Sequence, residues 1–153
     1  MADLARLQET LAEAELVHLD ASVLGLHLMG HPRYTPLTRM LFGLMSDNRL
    51  RASTSAISVY QLLVEAYRRG ESETARTVEQ CLTTVPGLEV VPVTSEVARQ
   101  ASEVRAQLGG STERAIQIAT ALSVRAGTYL TQHSSFRRVA GMSVESLDLH
   151  STA

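Results

Sequence analysis

Residues 15–29, ELVHLDASVLGLHLM, join a short apolar segment to a helical pattern with no spacer between them. Residues 15–19 are short and apolar enough to form a buried strand, and the apolar residues that follow position 20 are typical of a helix. Asp20 therefore stands at the carboxyl end of a predicted strand. Because ligands of parallel α/β sheets bind beyond the carboxyl ends of the strands, Asp20 is the first candidate functional residue.

The rest of the chain repeats this alternation of short apolar segments and helical patterns. Four more segments predict strands, at residues 51–57, 88–93, 128–131 and 142–148. Repeated strand–helix units are typical of a parallel sheet that helices cover on both faces. We therefore predict a three-layer α/β/α fold around a central parallel sheet of about five strands.

One domain accounts for almost the whole chain of 153 residues. Leucines spaced three and four residues apart predict a short amphipathic helix as an N-terminal extension over residues 1–14. The predicted domain covers residues 15–148, and residues 149–153 form a tail.

Composition and charge exclude several classes of protein. All 14 basic residues are arginine and 16 residues are acidic, so the net charge of −2 excludes a globally basic, nucleic-acid-binding surface. The N-terminal stretch is rich in acids and lacks the apolar run of a signal peptide or a membrane helix. Cys81 is the only cysteine and cannot form an internal disulfide. These features predict a cytoplasmic protein that does not associate with membranes.

Four stretches carry a resemblance to a known family. They read HLDASVLGLHLMGHPRYTPL from residue 18, TSAISVYQLLVEAYRRG from 54, ERAIQIATALSVRAG from 113 and TYLTQHSSFRRVAGMSVESLD from 128. In their order and spacing they resemble the PIN domain, the fold of metal-dependent ribonucleases that includes the VapC-type toxins of bacterial toxin–antitoxin pairs. The resemblance covers most of residues 16–148 and implies the PIN fold.

The same resemblance implies what an active site would require. PIN nucleases gather several carboxylates around divalent cations, usually Mg²⁺ or Mn²⁺, which are hard ions that prefer oxygen ligands. The metal would activate a water, hold the scissile phosphate and neutralise the charge that develops as the phosphodiester bond breaks.

A single acidic position of the family pattern keeps its carboxylate in this chain. Asp20 matches the first acid, and Ser22 stands where the family has a small hydroxyl or amide residue. The other acidic positions fall on Gln61, Arg114 and His133. The resemblance therefore implies a degenerate acidic site that binds no metal or other cofactor.

Two nearby acids offer an alternative, a rearranged metal site made of Asp20, Glu65 and Glu113. Glu65 lies one helical turn after Gln61, a displacement of about 5 Å along the helix axis. Glu113 directly precedes Arg114 and is also explained as a first-turn acid that the helix dipole favours. With this site the protein would remain a Mg²⁺- or Mn²⁺-dependent ribonuclease.

Arg114 has two interpretations. Near the start of a helix its charge is opposed by the helix dipole, so a nearby carboxylate would stabilise it, and Asp20 is the candidate partner. In that arrangement the guanidinium supplies the charge of the missing metal, and Gln61 and His133 complete a hydrogen-bonded polar cluster. In the other interpretation Arg114 points to solvent.

Arginines elsewhere in the chain also have two interpretations, a solvated surface or a residual rim that contacts RNA. Tyr34 and Phe136 lie near two of them in the sequence. The arginines are Arg33, Arg39, Arg49, Arg51, Arg68, Arg69, Arg137 and Arg138.

The leading hypothesis is a degenerate PIN-domain protein, an inactive nuclease homologue that acts by binding a protein partner or RNA. The alternative is a metal-dependent endoribonuclease of the VapC toxin type with a rearranged acidic site, alone or neutralised by an antitoxin. The resemblance implies a homodimer and an antitoxin-like protein partner, and no small-molecule cofactor.

Overall fold

The computed structural model of the chain describes residues 3–133 and 138–151. Helices and strands alternate through most of these residues. Their order is α1 (Leu4–Ala12), β1 (Leu16–Leu19), α2 (Ala21–Met29), α3 (Thr35–Ser46), β2 (Arg51–Ser55), α4 (Ile57–Arg68), α5 (Ser72–Thr84), β3 (Leu88–Val91), α6 (Ser95–Leu108), α7 (Thr112–Ser123), β4 (Thr128–Thr131), β5 (Ser143–Ser146) and a short 3-10 helix (Leu147–Leu149).

The strands form one parallel sheet of five, in the order β3-β2-β1-β4-β5. In the centre of the sheet Val17 of β1 pairs with Ala52 of β2 on one side and with Thr128 of β4 on the other. The predicted α/β fold with a central parallel sheet is confirmed. Because β1 is central, the residue that follows it lies in the middle of the carboxyl edge.

Successive side chains of β1 point to opposite faces of the sheet and pack into two different cores. Val17 and Leu19 are fully buried in the larger core, which also contains Leu7 and Leu11 of α1. The His18 ring faces the opposite side, where it stacks on Tyr129 with 5.3 Å between the ring centroids. Since side chains alternate between faces along a strand, one four-residue strand contributes to both layers of helices.

Several strands are shorter than predicted. β2 ends at Ser55 because its hydroxyl accepts a hydrogen bond of 3.1 Å from the backbone N–H of Ile57, where α4 begins. β3 ends at Val91, directly before Pro92, which has no N–H to donate to a neighbouring strand. β5 covers Ser143–Ser146 rather than residues 142–148.

The two ends of the described chain contact each other. The backbone N–H of Asp3, the N-cap residue of α1, donates to the carbonyl oxygen of His150 at 2.8 Å. The predicted extension over residues 1–14 and the predicted tail over residues 149–153 each reach beyond the described residues. No helix among the described residues is long and apolar enough to cross a membrane.

Candidate functional site

A cleft of about 210 Å³ lies at the carboxyl edge of the sheet, beyond β1 and β4. Asp20 follows β1, Gln61 comes from α4, Arg114 from the first turn of α7, and His133 from the segment after β4. The structure thus brings together in one cleft the four residues that the resemblance assigns to the acidic positions. Ser22 also lines this cleft.

The Asp20 carboxylate is directed at donors of the protein itself. Its Oδ1 accepts from the backbone N–H groups of Ser22 at 3.0 Å and Val23 at 3.4 Å, and from the Ser22 hydroxyl at 2.5 Å. Its Oδ2 accepts from the buried Tyr129 hydroxyl at 3.2 Å. Burial raises the pKa of the Asp20 carboxyl, and the Ser22 hydroxyl bond opposes that shift. Asp20 therefore acts as the N-cap of α2.

Ser22 connects this cap to the strand on the other side of the cleft. Its hydroxyl donates to Asp20 and accepts from the backbone N–H of Gln132 at 2.9 Å. The end of β4 is thereby held against the first turn of α2. The Ser22 side chain is engaged on both sides within the protein.

The predicted ion pair between Asp20 and Arg114 is not among the ion pairs that join described side chains. The guanidinium instead lies over Gly110, where an added Cβ would be 2.8 Å from Nη1 of Arg114. Its charge lowers the pKa of the Tyr129 hydroxyl, although burial and Asp20 keep that pKa well above its ordinary value. Tyr129, which was not among the residues predicted from the sequence, thus interacts with both predicted partners.

Gln61 belongs to a different hydrogen-bond network from the one predicted. Its Oε1 accepts from Nε2 of Gln117 at 3.0 Å, and Gln117 is itself buried and bonded to Ser58 and His18. Burial lowers the pKa of His18 to about 4. Neither His18 nor Gln117 was among the site residues predicted from the sequence, although an amide within the apolar run of α7 is a signal of a buried polar contact.

His133 is also bonded away from Asp20. Its side chain is 76% exposed, and its Nδ1 lies 3.2 Å from Oδ2 of Asp148. The other oxygen of Asp148 accepts from the Tyr34 hydroxyl at 2.5 Å and lies 3.9 Å from the guanidinium of Arg33. The partners predicted for Gln61 and His133 are therefore wrong, because Gln61 bonds to Gln117 and His133 to Asp148.

Two residues of the rim that was considered for RNA contact, Arg33 and Tyr34, contact each other within the protein. Arg33 lies over the Tyr34 ring at 5.2 Å, and Tyr34 is only 3% exposed, which leaves little of its ring for stacking on a base. Phe136 and Arg137 lie outside the described residues.

Of the three acids named for a rearranged metal site, Asp20 lines the cleft, whereas Glu65 and Glu113 do not. The Glu65 carboxylate pairs with Arg68 at 2.8 Å, and both side chains are more than half exposed. Glu113 stands in the first turn of α7, beside Arg114 rather than toward the cleft residues. Glu65 is exposed and Glu113 is half-buried, and neither contributes its carboxylate to the cleft.

The donor set in the cleft does not fit a divalent cation. Mg²⁺ and Mn²⁺ need several oxygen lone pairs, and Asp20 already accepts from backbone and hydroxyl donors. The Gln61 oxygen is bonded to Gln117, and Arg114 brings a positive charge. Among residues 3–133 and 138–151, no group of three or more His, Cys, Asp or Glu side chains is placed to hold a metal ion.

Solved structures share this architecture. VapBC2 of Rickettsia felis, solved with a DNA fragment from its promoter, matches with a TM-score of 0.66 at 15% identity over 86% of this chain and 98% of that one. A toxin–antitoxin complex of Klebsiella pneumoniae matches with a TM-score of 0.60 at 16% identity over 86% and 97%.

VapC20 of Mycobacterium tuberculosis, a toxin that cleaves the sarcin–ricin loop, matches with a TM-score of 0.62 at 14% identity over 78% of this chain and 91% of that one. Comparison with the sequences of curated proteins gives no match. The family model of the PIN domain matches residues 17–142, which run from Val17 in β1 past the end of β4 and include the cleft residues described above. The chain belongs to the PIN-domain family.

Proposed function

We propose that this chain is a cytoplasmic PIN-domain protein that binds RNA or a protein partner and does not perform the metal-dependent RNA hydrolysis of its family. The donor set of the cleft supports this proposal. Among the described residues of the lining Asp20 is the single carboxylate, and its Oδ1 caps α2 while its Oδ2 accepts from Tyr129. A site of this kind lacks the oxygen lone pairs that would bind the cation and position its water.

Two protein partners belong to the same proposal, an antitoxin-like chain and a second copy of this chain. The similar proteins of R. felis and K. pneumoniae were solved as toxin–antitoxin assemblies. In this chain, Tyr60 and Tyr67 of α4 are 54% and 58% exposed beside Leu63 and Val64. An exposed apolar face of this kind favours association with another protein surface.

The test is a titration of the purified chain with Mn²⁺. Binding that is specific to the folded state raises the melting temperature. We expect no saturable rise at millimolar Mn²⁺, and no manganese-dependent cleavage of RNA. A saturable rise that Asp20→Asn abolishes would contradict the proposal and identify a metal-dependent endoribonuclease with a rearranged site.

A rebuilt site supplies the positive control. Gln61→Glu, Arg114→Asp and His133→Asp together restore a carboxylate at each family position that this cleft contains. We expect the triple variant to bind Mn²⁺ and to lose that binding when Asp20→Asn is added. If the triple variant binds no better than the parent, the correspondence of these positions with the family acids is wrong.

A further inference from the structure

A directional chain of hydrogen bonds runs from the central strand to the cleft. His18 contacts the Ser53 hydroxyl through Nδ1 at 3.0 Å and the Gln117 Oε1 through Nε2 at 2.8 Å. Because the amide oxygen can only accept, the ring carries its proton on Nε2 and donates it to Gln117. Nδ1 then accepts from Ser53.

The same chain fixes the orientation of Gln61. With its oxygen toward His18, the Gln117 amide donates from Nε2 to the Ser58 hydroxyl at 2.7 Å and to Oε1 of Gln61 at 3.0 Å. This bond uses the carbonyl oxygen of Gln61, so the amide nitrogen is the group that Gln61 has to offer in the cleft. A carboxylate at this position would accept hydrogen bonds, whereas Gln61 donates them.

Arg114, on the opposite side of the cleft lining, has the same polarity as the Gln61 amide nitrogen. Arg114 adds a fixed positive charge and several N–H donors from the opposite helix, α7. The Asp20 carboxylate, the one negative group among the lining residues, is bonded to Ser22, Val23 and Tyr129. Gln61 and Arg114 therefore present donors to an occupant, which is the requirement for an anion.

The size of the cleft limits that anion. Its volume of about 210 Å³ is below the range of roughly 300–1,000 Å³ for pockets that enclose a whole small molecule. It corresponds to about seven waters at roughly 30 Å³ each, which is room for a tetrahedral oxyanion whose attached groups extend into solvent.

We propose that this cleft binds the phosphate group of a nucleotide or an RNA strand directly, with Gln61 Nε2 and Arg114 donating to its oxygens and no metal ion between them. This inference rests on the proposed function, since it requires a cleft that excludes divalent cations. It goes further by naming the ligand group and the atoms that hold it.

The experiment follows the side-chain amide resonance of Gln61 in the full ¹⁵N-labelled chain, with EDTA present. Inorganic phosphate, adenosine 5′-monophosphate and a short single-stranded RNA are added separately, and acetate serves as a monoanionic comparison. We expect saturable shifts of the Gln61 amide with phosphate-bearing ligands, and affinity for acetate weaker by about tenfold or more, because acetate offers fewer oxygens and less charge.

Variants separate the cleft from general charge effects. Gln61→Glu replaces the donor by an acceptor and also removes the amide resonance, so calorimetric titration measures the affinities of the parent and of the variants. Arg114→Gln removes the charge. Each is expected to weaken phosphate binding by about tenfold or more, the usual effect of losing a charge-assisted hydrogen bond. Gln80→Glu, an exposed position on α5, makes the same change of charge away from the cleft and should alter affinity less than about twofold.

Each outcome of these titrations either supports or contradicts direct binding of phosphate by the cleft. Binding of inorganic phosphate alone, or only of the nucleotide or RNA, supports the inference if Gln61→Glu removes it, and shows which source of phosphate the cleft accepts. Equal affinity for acetate, no binding of any ligand, or binding that Gln61→Glu leaves unchanged would overturn it without affecting the proposed function. Binding that appears only when Mg²⁺ or Mn²⁺ replaces the EDTA would overturn both.

Discussion

Asp20, which the resemblance places at the first acidic position, serves as the N-cap of α2. In a metal site its oxygens would face the cation, whereas here Oδ1 accepts from Ser22 and Val23 and Oδ2 from Tyr129. A carboxylate at a helix N-terminus is favoured by the unsatisfied N–H groups and by the helix dipole. Retention of this acid is therefore explained by the stability of α2 without reference to catalysis.

His18 makes the stability of the fold depend on pH. Its pKa is about 6.5 in an unfolded chain and is lowered to about 4 by burial. Between these pH values His18 binds a proton in the unfolded chain but not in the folded chain. The free energy of unfolding therefore falls as pH decreases from 6.5 to 4. We expect this residue to account for a loss of about 3 kcal/mol over that range.

Urea unfolding at a series of pH values measures the effect. His18→Gln serves as the comparison, because it removes the titrating ring and leaves the carboxyl groups unchanged. The difference in unfolding free energy between parent and variant should shrink as pH falls from 6.5 to 4. A difference that stays constant over this range would show that the ring is not held neutral by burial.

At the scale of elements, the connection between α6 and α7 positions Arg114. Gly109 and Gly110 follow α6 with φ values of +70° and +82°, which favour glycine. An added Cβ at Gly110 would meet the Arg114 guanidinium at 2.8 Å, whereas one at Gly109 would meet nothing within 4 Å. Gly109 is therefore favoured by its backbone conformation alone, whereas Gly110 is favoured both by its conformation and by the closeness of the guanidinium.

Two alanine variants test this difference. Both Gly109→Ala and Gly110→Ala should lower the free energy of unfolding by about 1–3 kcal/mol, because alanine is strained at positive φ. Gly110→Ala alone should also displace the guanidinium, which is detected as a shift of the Nε–H resonance of Arg114. Equal shifts in the two variants would mean that Gly110 does not determine where the guanidinium lies.

At the scale of the whole molecule, α4 presents an apolar stripe to solvent. Tyr60, Leu63, Val64 and Tyr67 follow the three- and four-residue spacing of one helix face, and both tyrosines are more than half exposed. The other side of α4 contributes Gln61 to the cleft. One helix thus joins a candidate binding cleft to a candidate protein interface.

We expect the purified chain to form a dimer through this stripe. Tyr60→Ser combined with Tyr67→Ser should weaken self-association by about tenfold or more, because each tyrosine contributes apolar area to the contact. Light scattering coupled to size-exclusion chromatography measures the mass. Met29→Ser, at an exposed position on α2, is the matched control. A parent that is monomeric, or a dimer that the tyrosine variants leave intact, would contradict this expectation.

Local pattern determined most of the architecture. The alternation of apolar strands and amphipathic helices predicted the five-stranded parallel sheet, because burial of an apolar face depends mainly on residue spacing. It also placed Asp20 at the end of the first strand. Strand ends were less well predicted, since Ser55 and Pro92 stop β2 and β3 through hydrogen bonding that periodicity does not record.

The partners within the site were decided only by the tertiary structure. Sequence comparison named Asp20, Gln61, Arg114 and His133, and the fold brings them to one cleft. The sequence did not reveal that Gln117, 56 positions after Gln61, donates to the Gln61 carbonyl oxygen and so leaves its amide nitrogen for the cleft. The spacing of residues along one element predicts which face they share, but hydrogen bonds between helices and strands depend on distances that only the packed chain establishes.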